Sequence, residues 1–221
     1  MNRFAELLDR LAYEPGRNNK LRLLTAYLRD TPDPDRGYAL AALTGALSFK
    51  HAKPGLIRDL ITDRTDPMLF GLSYDYVGDL SETVALMWPK AALPGHNNPP
   101  PPPLSEVVTT LRPLGKTELP KQLARWLDEL DETGRWALLK LVTGAMRIGI
   151  SARLAKTAAA ALGDKDAHEV ELIWPGLAPP YLDLFAWLEG RGDKPVNSDP
   201  APFRPVMLAH AIEDSDFANL D

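Results

Sequence analysis

The chain has 221 residues, 45% of them hydrophobic and none of them cysteine. It can bury one sizeable core or two small ones, and disulfide and thiolate chemistry are excluded. The net charge of −5 argues at first sight against a nucleic-acid partner.

The N-terminal stretch MNRFAELLDRLAYEPG reads as an amphipathic helix and not as a signal peptide. No segment approaches the ~18 consecutive apolar residues of a membrane span, and the lack of cysteine makes a reducing cytoplasm the expected compartment. From there a helical period runs through most of the chain. Phe4, Leu7, Leu8 and Leu11 follow i, i+3, i+4, i+7, and Leu123, Trp126, Leu127 and Leu130 do the same. The spacing predicts about a dozen helices, over 2–12, 18–30, 36–46, 53–62, 66–73, 78–88, 104–111, 117–130, 133–145, 151–161, 166–172 and 179–188. No stretch alternates as a strand would. Prolines fall between segments or at first-turn positions such as Pro54 and Pro120. Tyr74, Tyr76 and Trp88 read as core or groove-lining packing. Asp79 caps a helix, with Glu82 in capping-box position.

Residues 94–103, PGHNNPPPPP, form a polyproline connector between halves 1–93 and 104–199. No basic or aromatic residue flanks it, so it reads as a stiff spacer more than as a ligand for a proline-binding module. The halves are related. An ungapped offset of 99 residues places Leu43-Thr44-Gly45-Ala46-Leu47 on Val142-Thr143-Gly144-Ala145-Met146, Arg36 on Arg135 and Trp88 on Trp187. The expected fold is therefore all-α, in one domain with internal pseudo-two-fold symmetry. An α-solenoid is the competing architecture.

The charge is unevenly spread. Residues 1–98 hold 12 basic and 12 acidic side chains, 99–163 hold 9 and 6, and 164–221 hold 4 and 12. The middle is basic, and the local field is what meets a phosphate. Signatures of catalysis are lacking: the four histidines have no metal-ligand spacing, and no nucleophile elbow or phosphate loop occurs. Carboxylates such as Asp128, Glu129, Asp131 and Glu132 fall where solvated helix faces put them.

Binding is better served. In TGAMRIGISARLAK, residues 143–156, Gly144 and Gly149 bracket a tight turn and Ser151 stands at an N-cap position. The next helix opens with free N–H groups and a positive dipole end, which stabilise anions. Arg147, Arg153 and Lys156 add charge, and the glycines allow close backbone approach. The related turn TGALSFKHAKPG, residues 44–55, supplies Lys50 and Lys53. Two such turns across a two-fold suit the two phosphate strands of a duplex minor groove; ordinary helix caps with solvated cations are the alternative reading of the same residues.

YDYVGDLSETVAL, TGAMRIGIS and FRPVMLAHAIED, in that order along the chain, together resemble the N-terminal DNA-binding domain of ATP-dependent DNA ligases, and LTGALSFKHAKPG is similar to the bacterial branch. The resemblance spans nearly the whole chain. It implies an all-α, pseudo-two-fold fold and minor-groove contacts by Gly144, Arg147 and Gly149. Many relatives carry a second basic residue where Ala145 stands, so Lys50, Lys53 or Arg153 would compensate. Arg17 and Lys20, and Lys116 with Thr117, lie at helix starts where the family touches the backbone. The implied role is binding of nicked duplex DNA, without sequence preference, in repair, replication or recombination, by a nucleoid-associated monomer. In the family the P-M-L-A run leads to a K-x-D-G motif whose lysine is adenylated by ATP. Residues 200–221 then read as a linker into an absent adenylation domain. The fragment itself is expected to bind no cofactor and to be inactive, with ATP and Mg²⁺ required by the full-length enzyme. A helical protein-interaction scaffold without nucleic-acid binding is the alternative function.

Overall fold

Apolar residues at helical spacing fold the chain into twelve α-helices and one 3₁₀ turn, with no strand among the described residues. The structure is a computed structural model and describes residues 1–89 and 100–196. The first six helices are α1 Asn2–Tyr13, α2 Arg17–Asp30, α3 Asp35–Leu43, α4 Pro54–Thr62, α5 Pro67–Val77 and α6 Leu80–Met87. The second six are α7 Leu104–Leu111, α8 Glu118–Glu129, α9 Glu132–Thr143, α10 Ala152–Leu162, α11 Ala167–Ile173 and α12 Leu182–Leu188, with the 3₁₀ turn at Trp174–Gly176.

Several helices start or stop for a local reason. The side chains of Asp66, Asp79, Asp131, Asp166 and Ser151 accept a backbone N–H of the first turn of α5, α6, α9, α11 and α10. Gly78 and Gly144 end α5 and α9 in the left-handed region, at φ 74° and 70°. One core then collects the inward faces. Phe4, Leu8 and Leu11 of α1, Leu24 and Leu28 of α2, Trp126 of α8 and Phe185 of α12 are all 0–1% exposed. Each such side chain stabilises the fold by about 1.5–3 kcal/mol relative to exposure.

The predicted repeat is carried into the hydrogen bonds. Arg36 donates to Leu28 O at 3.2 Å, and 99 residues on Arg135 donates to Leu127 O at 2.6 Å. Thr44 Oγ1 donates to Leu40 O at 2.8 Å, and Thr143 Oγ1 to Leu139 O at 2.7 Å. Gly45 and Gly144 share a positive φ, 73° and 70°. Packing is reciprocal as well: α1 lies on α9 as α7 lies on α3, and α2 lies on α10 as α8 lies on α4. Exchanging the halves preserves this scheme, so each half completes the other's core.

Several sequence expectations are revised. The helix expected over 36–46 stops at Leu43, because Gly45 turns the chain. The one expected over 66–73 runs on to Val77. Trp88 is buried and Tyr74 half-buried, but Tyr76 is 93% exposed and packs no core. The carboxylates Asp128, Asp131 and Glu132 are exposed as expected; Asp128 also accepts the Trp88 indole N–H at 2.8 Å and Asp131 also caps α9. Residues 94–99 of the connector and the whole of 200–221 lie outside the described residues.

Arg36 also anchors the end of α12. Its buried guanidinium pairs with Asp33 at 2.8 Å and with both oxygens of Glu189. Hydrogen bonding to Arg36, with help from Arg191, holds the Glu189 carboxyl down at about 2, from an ordinary 4.5. A depressed carboxylate contributes stability that is fully present above its unfolded value and is lost as pH falls through its folded value. Glu189→Gln is therefore expected to lower the melting temperature at pH 7, with the difference from wild type shrinking as pH falls from about 4.5 towards 2. Thermal unfolding monitored by circular dichroism across that range measures it.

Candidate nucleic-acid interface

α2 and α10 belong to different halves yet lie side by side. Lys20 Nζ donates to Gly149 O at 3.1 Å, just before α10, and Thr25 Oγ1 donates to Ala158 O at 3.2 Å further along. Both contacts advance in the same direction, so the helices are parallel and their N-termini open at the same end. Two positive dipole ends converge there.

An open hollow lies at this end, lined by Arg17, Lys20, Gly149, Ser151, Arg153 and Thr157, among others, and by no carboxylate. Neither α2 nor α10 has an acidic residue in its first turn. Cations at a helix N-terminus oppose the dipole and weaken the isolated helix by some tenths of a kcal/mol each. Three of them around two converging N-termini form a local conflict, of the kind proteins tolerate where an anion resolves it.

The turn between α9 and α10 is fixed by its backbone. Gly144 and Gly149 have φ 70° and 69°. Between them Arg147 N donates to Ala145 O at 2.7 Å and Ile148 N to Met146 O at 2.9 Å. The Ile148 side chain is buried and pins the turn to the core, while Met146 is only half-buried. Ser151 Oγ accepts from Leu154 N at 3.1 Å and starts α10. A Cβ added to Gly149 would stand 2.5 Å from Lys20 Nζ.

Of the residues singled out in the sequence, the structure brings together Arg17, Lys20, Gly149, Ser151 and Arg153. Arg147 is exposed but faces elsewhere, into a hollow of about 380 Å³ whose lining includes Asp9, Asp79, Glu82, Trp136 and Lys140. There Lys140 Nζ lies 2.5 Å from Asp79. Burial alone would raise the Asp79 carboxyl, but Lys140 and the N–H groups of Glu82 and Ser81 outweigh it and hold it below its ordinary value. The turn 144–149 thus separates a cationic hollow from an acidic one. Gly144 is exposed, with open space where a Cβ would go. Lys156 is drawn away over the Trp174 ring, 5.0 Å from its centre.

The repeat-related pair is α4 and α8. Lys53 is the N-cap of α4 and Thr117 that of α8, and neither side chain caps its helix. Lys50, Lys53, Lys116 and Thr117 are all exposed at these starts. Buried Leu47 and Phe49 pin the 44–55 turn, as Ile148 pins its counterpart.

Sequence reading missed that Lys20 reaches Gly149, and it missed Thr157. No local signal pairs residues 129 apart along the chain. No helix of the described residues is long and apolar enough to cross a membrane. The sequence matches no protein-family model and no curated protein.

Proposed function

We propose that this chain binds duplex DNA without sequence preference, by placing phosphates at the converging N-termini of α2 and α10 and at the related starts of α4 and α8. The observation that carries the reading is the parallel pairing of α2 with α10, which gathers Arg17, Lys20 and Arg153 around Gly149 and Ser151 in a hollow without a carboxylate. Cations gathered at helix starts beside backbone N–H groups suit phosphates rather than base edges, so binding is set by charge and shape. The ligase resemblance of the motifs sets this binding in a nick-sealing enzyme, with nicked duplex as the substrate held, in repair, replication or recombination. ATP and Mg²⁺ are given no residue in this chain. No K-x-D-G occurs in the sequence, so both are expected of the full-length enzyme.

Affinity in the micromolar range is expected, from ~4–6 phosphate contacts. Fluorescence anisotropy with a labelled nicked duplex, repeated across a tenfold range of salt, tests it. The logarithm of affinity should fall linearly with that of salt, and Lys20→Gln should reduce the slope by about 0.9. Binding that ignores salt overturns the reading.

A further inference from the structure

We propose that the outward face of α5 docks a basic amphipathic segment of a partner protein. α5 is apolar on both sides. Phe70, and Tyr74 in part, face the core, while Met68, Leu69, Leu72 and Tyr76 stand 56–93% exposed. Met68, Leu72 and Tyr76 follow i, i+4, i+8 and make one stripe. A helix that is apolar all round is ordinarily covered, and a contiguous exposed apolar stripe marks an interaction surface.

The fold does not require this stripe. Ninety-nine residues on, the repeat places Ala167, His168, Glu171 and Pro175 at the matching positions. One half thus keeps large apolar groups where the other has small or polar ones.

Charge selects the occupant. No Lys or Arg occurs from Thr65 through Pro89, and Asp66, Asp75 and Glu82 are exposed there. Two cations reach this segment from outside it, Arg58 over the Tyr74 ring at 5.1 Å and Arg64 over the Trp88 ring at 4.7 Å, and the segment's own charges are all acidic. A phosphate strand is repelled from this face, and a second copy would bring the same acids against these. A segment with apolar residues on one side and Lys or Arg on the other satisfies both features, as in helix-in-groove recognition. The inference stands apart from the DNA reading, because it uses a different surface and the opposite charge.

The test is anisotropy of a labelled Leu/Lys peptide of about five helical turns, with its leucines on one face, against the intact chain. A Leu/Glu peptide of the same pattern is the control. The Leu/Lys peptide should bind, and Leu72→Ser and Tyr76→Ser should each weaken it about tenfold. Both positions are exposed, so circular dichroism should show unchanged melting. The proposal is overturned if neither peptide binds, including because residues 197–221 of the chain itself cover the face. It is overturned equally if the variants bind as tightly as wild type, if the Leu/Glu peptide binds as well, or if light scattering shows a dimer that these substitutions dissociate.

Discussion

Gly149→Val is expected to weaken duplex binding by about tenfold or more, a larger loss than Arg147→Ala produces. Two physical effects act together at this glycine. Its φ of 69° lies where a β-branched residue is strained, so the turn must shift. Its Cβ would also meet Lys20 Nζ at 2.5 Å, displacing the cation that ties α2 to α10. The substitution therefore disturbs the backbone before α10 and the position of Lys20 at once. Arg147 faces the acidic hollow and not the cationic one, so losing it removes at most about one counterion from the salt slope. The strain costs the fold ~1–3 kcal/mol as well, so anisotropy is read at a temperature where circular dichroism shows each variant folded. Equal affinities for Gly149→Val and wild type would remove this turn from the interface.

Arg36→Ala is expected to give the largest loss of stability of any single change considered, about 3–5 kcal/mol. The side chain is 4% exposed. It bonds Leu28 O, Asp33 and Glu189, and its guanidinium lies 4.3 Å from the centre of the Phe185 ring. Removing it leaves a carbonyl and two carboxylates short of their partner and opens a cavity between α3 and α12. At roughly 2–4 °C per kcal/mol for a chain of this size, the melting temperature should fall by about 6–20 °C. Calorimetry measures this, and a fall under 3 °C would contradict the anchoring role.

The helices were legible because the apolar period is strong and the breaks are chemical. The sequence places each of the twelve within a few residues. Its larger errors have local causes. Ala46 and Leu47 prolong the apolar pattern beyond Gly45, although that glycine's φ of 73° has already turned the chain. Residue type alone makes Tyr74 and Tyr76 equivalent packing candidates, but the chain turns one inward and leaves the other 93% exposed.

The candidate site was legible only in pieces. Gly144, Gly149 and Ser151 announce a turn and a helix start by residue type. That Arg17 and Lys20 join them depends on α2 packing against α10, and the repeat shows that the halves correspond without showing that they interlock. The direction of Arg147 was equally hidden, since it is set by where α1, α6 and α9 meet.

The central claim is that phosphates sit at the converging starts of α2 and α10. The most direct measurement is amide chemical-shift mapping of the isotopically labelled chain titrated with a short nicked duplex at low salt. The largest shifts are expected at the backbone N–H groups of residues 17–20 and 151–154, with a second group at 53, 55, 56 and 117–119, where Pro54 and Pro120 carry no N–H, and all of them reversing on addition of salt. Shifts confined to α5 and α6, or no shifts at any ratio of duplex to protein, would contradict it.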